Sequence, residues 1–178
     1  MPLIILDRDG VINYDADDYI KSPDEWRPIP GSLEAIARLN RAGYQVVVAS
    51  NQSGVARGFF DLATLEKIHE KMRAELARHG GVMAGIFFCP HGPDESCACR
   101  KPKPGLFEQI AQTFNQDLRG VFAVGDSLRD VEAAQAVGAR PVLVRTGKGA
   151  RIAQRDIPEN IPVYDDLAAF VDALLAPR

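Results

Sequence analysis

Cysteine is scarce in this chain of 178 residues: there are three, an odd number, all between positions 89 and 99. That argues against a disulfide framework and for reduced thiols with one local task. Neither sign of charge dominates, with 21 Lys and Arg against 24 Asp and Glu and a formal net charge of −3. No long basic block offers the electrostatic footprint of a nucleic-acid-binding protein. Long apolar runs are missing as well. Leu3-Ile4-Ile5-Leu6 breaks at Asp7, too soon for a signal-peptide core and with no basic residue before it, and no later stretch is long enough to span a bilayer. A cytoplasmic monomer with neither membrane nor nucleic acid as partner is expected. No period of repeat-protein type occurs. At 46% hydrophobic residues the length suits one domain, 1–178, whose core needs no covalent staples.

What is present is an alternation of strand-like and helix-like segments. Leu3–Leu6 reads as a buried strand, Leu33–Leu39 has helical apolar spacing and ends at Gly43, and Gln45–Ala49 is a second, β-branched strand. Asp61 caps a helix running to about His79, Ala84–Phe88 is a third strand, and Pro104–Phe114 is a helix with proline in its first turn. Val121–Val124, Ser127–Val137 closed by Gly138, and Pro141–Val144 continue the series, and Asp165 or Asp166 opens a last helix. This pattern predicts a three-layer α/β/α doubly wound fold, a parallel sheet with helices on both faces and right-handed crossovers. Two stretches interrupt it. Asn13 to Ser32 holds three prolines, the acids Asp15, Asp17 and Asp18, and Trp26, which reads as a packing anchor; the other stretch is Cys89 to Pro104. Loops of such length are usually functional or disordered. If strands one and three run parallel, both loops lie near the same sheet edge.

Asp7-Arg8-Asp9-Gly10 leaves the first strand where open α/β sheets hold their ligands. One carboxylate can attack phosphorus, a second can move a proton, and a pair can hold magnesium through oxygen; the same residues also make an ordinary turn. Ser50-Asn51-Gln52-Ser53-Gly54 follows the second strand with a hydroxyl, amides and backbone N–H groups suited to phosphoryl oxygens, although such residues punctuate loops everywhere. Gly125-Asp126-Ser127 follows the fourth strand, with Asp130 one helical turn on; a plain helix cap would use the same residues. Arg100-Lys101-Pro102 supplies two cations to offset charge on a transferring phosphoryl group. Cys89, His91, Cys97 and Cys99 make the four ligands of a closed tetrahedral zinc site in a loop over 89–99, structural because no position is left for water. Its expected task is to hold Arg100 and Lys101; free thiols, or a transient disulfide with one cysteine left over, are the alternatives. His69 and His79 sit in a helical segment without ligand-like neighbours and are given no role.

Asp7-x-Asp9, Ser50, Lys101 and Gly125-Asp126-x-x-x-Asp130, in that order and each after its strand, resemble the four motifs of the haloacid dehalogenase (HAD) superfamily of phosphohydrolases over nearly the whole chain. The resemblance implies a HAD-like Rossmannoid fold, here without a large cap domain. It makes Asp7 the nucleophile, Asp9 the general acid and base, Ser50 and Lys101 the holders of the phosphoryl oxygens, and Asp7, Asp126 and the Asp9 carbonyl the ligands of Mg²⁺. Magnesium and Lys101 would keep Asp7 ionised while Asp9 carries a proton. The thiol loop, Asp7–Asn13 and Ser50–Gly58 resemble more narrowly the D-glycero-D-manno-heptose 1,7-bisphosphate 7-phosphatases of the bacterial ADP-heptose pathway. Histidinol-phosphatase domains share the zinc loop, but Gly54-Val55-Ala56-Arg57-Gly58 resembles the heptose enzymes more. This implies Mg²⁺-dependent removal of the C7 phosphate from a small sugar bisphosphate through an aspartyl-phosphate, serving lipopolysaccharide core synthesis. Its implied substrate contacts are Asp15, Asp18, Tyr19, Ser50, Asn51, Gln52, Ser53, Arg57, Arg100, Lys101 and Ser127, with Arg100 on the distal phosphate. Histidinol phosphate is the alternative substrate. A phosphoacceptor signalling domain is the non-enzyme alternative, against which stands Cys89 where an acceptor aspartate would end the third strand. Two departures from the family are Ser50 in place of a frequent threonine and the short Gly92–Ser96 segment.

Overall fold

The computed structural model describes all 178 residues. Six strands, β1 (Leu3–Leu6), β2 (Gln45–Asn51), β3 (Gly85–Cys89), β4 (Phe122–Gly125), β5 (Arg140–Val144) and β6 (Val163–Tyr164), form one sheet in the order β3-β2-β1-β4-β5-β6. Every neighbouring pair is parallel. Five helices, α1 (Ser32–Arg41), α2 (Leu62–Arg78), α3 (Gly105–Phe114), α4 (Leu128–Ala136) and α5 (Leu167–Leu175), cover it. Successive strand residues point to opposite faces, and both faces are buried, which is why β1 reads as an unbroken apolar run. Ile4, Leu6, Val46 and Val48 pack with Ile36 of α1, Ile68 and Met72 of α2 and Phe170 of α5. Leu3, Ile5, Val47 and Ala49 pack on the other side with Leu106 and Ile110 of α3 and Ala133 of α4. The expected three-layer α/β/α architecture is what results, and no further domain is inserted between the strands.

The chain leaves β1 for β2 on one side and later returns to β4 on the other, so a crevice opens between β1 and β4 at the carboxyl ends of the strands. Asp7 and Asp126 follow those two strands. Because β1 and β3 both run parallel to β2, the two long loops do leave from the same edge.

Several boundaries differ from the sequence expectation. β2 continues through Ser50 and Asn51, because β3 supplies partners for both, Phe88 and Cys89. Pro104 is the N-cap of α3 rather than a first-turn residue. Asp166, not Asp165, caps α5, accepting from the Ala169 N–H at 2.8 Å. β6 was not expected at all; it is two residues long and follows Pro162, too short to show a period. The loop from Asn13 to Ser32 is ordered by packing. Trp26 within it is fully buried, and Lys71 of α2 donates to the Pro23 and Trp26 carbonyls at 2.7 and 2.9 Å.

Candidate active site

Four elements deliver charge to the β1/β4 crevice. Lys101 is nearly inaccessible: its Nζ lies 2.6 Å from Asp130 Oδ1 and 3.2 Å from Asp7 Oδ1, and donates to the Ala49 carbonyl at 2.8 Å. The Lys101 backbone is held from β2, where Asn51 accepts its N–H at 2.9 Å and donates to its carbonyl at 3.1 Å. Asp130 spends its other oxygen on the start of α4, accepting from the Asp126 and Ser127 N–H groups and the Ser127 hydroxyl at 3.0–3.1 Å. Asp126 is fixed by the segment after β5. There the Lys148 N–H donates to Asp126 Oδ2 at 2.9 Å, and the Thr146 hydroxyl donates to the Gly10 carbonyl at 2.6 Å. A Cβ at either Gly10 or Gly147, both at positive φ, would collide with the Asp126 carboxylate, so backbone closes on that side chain from two directions.

Asp7, Asp126 and Asp130 bring carboxylate oxygens within 4.8 Å of one another. Burial pushes the Asp7 carboxyl up, Lys101 pulls it back, and Asp130 and Asp9 raise it again, leaving it at about 7. Asp126, desolvated and facing Asp7 and Asp130, is pushed up to about 9. An all-oxygen donor set under mutual repulsion fits a hard divalent cation such as magnesium. Asp130 is saturated by Lys101 and the α4 amides, which leaves Asp7 and Asp126 as the side chains open to it.

Asp9 is in the opposite condition. Burial would raise it, but Arg8, together with hydrogen bonds from Asn13, Arg8 and Gln52, holds it below the usual carboxylate range. The protein groups alone therefore order the pair the other way round from the sequence expectation, with Asp7 the weaker acid. Burial raises both carboxyls; at Asp9 the donors Arg8, Asn13 and Gln52 outweigh it, whereas at Asp7 Lys101 works against burial and the charges of Asp130 and Asp9, so a bound divalent cation would favour the ionised Asp7 further.

A pH effect follows. Between ordinary carboxyl values of about 4 and their raised ones, Asp7 and Asp126 retain protons in the folded chain that the unfolded chain has released, so stability falls as pH rises. His69, pushed down to about 3 by burial and by Arg8, opposes this below about pH 6.5, where only the unfolded imidazole is charged. Above that it is neutral in both states. The zinc-bound thiolates act in the opposite sense, because the unfolded chain protonates them up to about pH 8.5, so the two acids are isolated by difference. At saturating zinc, the gain in melting temperature given by saturating magnesium is expected to grow from about pH 6.5 to 9 as Asp7 and Asp126 give up their protons. A gain that is flat or shrinks over that range would contradict the crowding of these acids.

The carboxylates line a polar cleft of about 290 Å³. It brings together Asp7, Asp9, Asp15, Tyr19, Asn51, Ser53, Arg57, Arg100, Lys101, Asp126, Ser127 and the motif residue Asp130 from the sequence reading, and adds Asp17, Arg129 and Lys148. Three candidates do not reach its surface. Asp18 is exposed and pairs with Lys21 at 3.0 Å, Asp17 lying at the cleft instead. Ser50 is fully buried and accepts from Gln52 Nε2 at 2.8 Å, while Gln52 also donates to Asp9 Oδ2 at 3.2 Å, so both lie under the cleft wall. Asn51 reaches the cleft, yet its amide is engaged with the Lys101 backbone. Lys148 was legible only as part of a Thr-Gly-Lys-Gly turn at a strand exit.

Beside the cleft, Cys89, His91, Cys97 and Cys99 converge. Cys89 Sγ lies 3.8 Å from Cys97 Sγ and 3.4 Å from His91 Nδ1, which is 3.3 Å from Cys99 Sγ. Tetrahedral edges are about 1.6 times the bond length, so zinc–sulfur bonds of about 2.3 Å put two thiolates about 3.8 Å apart. The group fits zinc in spacing and in chemistry. It reaches the cleft through Arg100, whose Nη1 lies 3.4 Å from the His91 carbonyl, and through Lys101 beyond it.

Comparison with known proteins agrees with this geometry. A HAD-hydrolase-like family model matches residues 98–170. The D-glycero-beta-D-manno-heptose-1,7-bisphosphate 7-phosphatase of Pseudomonas aeruginosa is 58% identical over 97% of this chain and 97% of that protein. The enzyme of that name from Neisseria meningitidis serogroup B is 50% identical over 96% of this chain and 92% of its own. The crystal structure of D,D-heptose 1,7-bisphosphate phosphatase from B. bronchiseptica, complexed with magnesium and phosphate, superposes with a TM-score of 0.95 at 58% identity, covering 98% of each chain. With identity at this level over almost all of both chains, the chain belongs to the D-glycero-β-D-manno-heptose-1,7-bisphosphate 7-phosphatase family of HAD-like hydrolases.

Proposed function

We propose that the protein removes the C7 phosphate of D-glycero-β-D-manno-heptose 1,7-bisphosphate, with Asp7 as nucleophile. The observation that carries this reading is the buried Lys101 held between Asp7 and Asp130 at the β1/β4 crevice, with Asp126 against them. In the first step an Asp7 carboxylate oxygen bonds to phosphorus, the bond from phosphorus to the C7 oxygen breaks, and that oxygen takes a proton from Asp9, which is ionised in the free protein and acquires the proton from solvent when the negatively charged substrate enters the cleft. In the second, Asp9 takes a proton from water, the water oxygen bonds to phosphorus, and the bond to Asp7 breaks, releasing inorganic phosphate and regenerating both carboxyl groups. Lys101 neutralises phosphoryl charge without moving, since three partners already hold its Nζ. Asp7, Asp126 and the Asp9 carbonyl would hold magnesium, which when bound offsets the repulsion between Asp7 and the incoming phosphate.

Arg57, Arg100, Arg129 and Lys148 at the cleft suit a second, distal phosphate, and Asp15, Asp17 and Tyr19 suit sugar hydroxyls. Ser50, beneath the wall, supports Gln52 and so Asp9. A sugar bisphosphate is the partner this polar cleft favours, and a cleft built wholly from one chain is compatible with a cytoplasmic monomer. No helix is long and apolar enough to cross a membrane.

The test is a ranking of kcat/KM for the α and β heptose 1,7-bisphosphates, fructose 1,6-bisphosphate and histidinol phosphate, with ³¹P spectra identifying the phosphate lost. The β-heptose substrate is expected to lead the others by about 10-fold or more, with the C7 signal lost and the C1 signal kept. Preference for histidinol phosphate, or loss of the C1 phosphate, would overturn the reading.

A further inference from the structure

Arg8 stands between the two motif aspartates, yet its side chain has no exposure to solvent at all. Its guanidinium turns to Asp9: Nε donates to Asp9 Oδ1 at 2.9 Å, and Nη2 lies 2.8 Å from the same oxygen, poorly aligned and without another partner. Its Nη1 points the other way, to His69 Nε2 at 3.1 Å. A guanidinium only donates, so His69 must accept through Nε2, which makes it the neutral tautomer carrying its proton on Nδ1. Burial and the Arg8 charge push His69 down to about 3, consistent with that neutrality. The ring is itself fixed, buried on α2 and tilted against Phe88 with centroids 5.9 Å apart.

We infer that Arg8 and His69 are positioning residues that set the orientation of the Asp9 carboxylate. Oδ1 of Asp9 receives Arg8 and also Asn13 Nδ2 at 2.9 Å, whereas Oδ2 receives only Gln52 at 3.2 Å. The oxygen with spare capacity is therefore Oδ2, the one able to carry a proton for the leaving group. His69 anchors the far end of the guanidinium. Without an acceptor there, a buried Nη1 has to seek another partner, and the guanidinium turns with it, releasing Oδ1. Through this pair α2 acts on the proton transfer without touching substrate.

This inference rests on Asp9 being the proton carrier, and the experiment separates the two ideas. Leaving groups that need protonation feel a misplaced acid; good aryl leaving groups do not. In His69→Leu, kcat on the heptose bisphosphate is expected to fall on the order of 10- to 100-fold, and kcat on 4-nitrophenyl phosphate by less than about 3-fold. In His69→Gln, whose amide oxygen can occupy the Nε2 position, the heptose rate should return to within about 3-fold of the parent. His69→Asn, whose amide reaches only the Nδ1 position, should behave as the leucine variant does and takes its place if that variant does not fold. Asp9→Asn serves as reference. If it shows the leaving-group selectivity and His69→Leu or His69→Asn loses both activities equally, or neither, the positioning role is overturned while Asp9 keeps its own. If Asp9→Asn shows no selectivity, the proton-carrier reading falls and this inference with it.

Discussion

Asp7→Asn is expected to lower kcat for phosphate release by about 10⁴-fold or more, equivalent to about 5.5 kcal/mol of lost transition-state stabilisation. The amide matches the carboxylate in size and keeps an acceptor for Lys101 and for the Arg8 N–H, which donates to Asp7 Oδ1 at 2.9 Å. What it removes is the nucleophile. It also removes one charge from a cluster that burial and repulsion already strain, Asp7 lying at about 7 and Asp126 at about 9. The melting temperature of the magnesium-free variant at pH 8 should therefore equal or exceed that of the parent, an inactive protein no less stable than the active one. Initial-rate assays and thermal melts on the same preparation check both halves. Retained turnover would dismiss Asp7 as nucleophile, and a large loss of stability would show that the carboxylate is stabilising where it stands.

Lys101→Met should act in the opposite sense on stability. It removes the only side-chain cation in contact with Asp7 and Asp130, at 3.2 and 2.6 Å, and leaves both carboxylates in place. Losing one partner of a buried ion pair costs about 3–5 kcal/mol, because the remaining charge is uncompensated. The deficit should grow as pH rises and more of the cluster ionises. Turnover should fall about 10³-fold even where the protein stays folded, since charge on the transferring phosphoryl group loses a preorganised cation. Denaturant unfolding at pH 6 and pH 8, with rates in parallel, checks this. Equal stability of the two proteins at pH 8 would contradict the arrangement. The same construction bears on zinc: Lys101 is tied to the thiol loop through Arg100, but Asn51 also clamps its backbone from β2, so the thiol loop is one of two supports.

Much of this site was legible because its chemistry follows strands. Leu3–Leu6 and Gln45–Ala49 are apolar runs ended by polar residues, and a parallel sheet turns every such ending toward one edge. The sequence alone thus brings Asp7 and Asp126 together. Spacing also sufficed for the thiols, because all four ligands lie within one short loop. Legibility failed where position depends on a side chain's direction in an irregular segment. Asp17 and Asp18 are adjacent in the acidic loop, but Asp18 turns to Lys21 at 3.0 Å and only Asp17 is left at the cleft. Ser50 and Asn51 looked like loop residues because strand pairing with β3, not their own propensity, extends β2 over them. Arg8 and His69 are 61 residues apart, and neither reads as half of a pair. The acidity order of Asp7 and Asp9 was hidden for the same reason: it is set by Arg8, Asn13 and Gln52 folding onto one carboxylate.

In the proposed reaction phosphorus is attacked twice, first by Asp7 and then by water. Each in-line displacement inverts the phosphorus centre. A heptose bisphosphate whose C7 phosphate is made chiral, with sulfur and oxygen isotopes distinguishing its terminal positions, therefore reports the number of displacements without requiring the intermediate to accumulate. Hydrolysis in isotopically labelled water, with the product's configuration read by ³¹P spectroscopy, should show net retention. Net inversion would mean a single attack by water and would contradict the role given to Asp7.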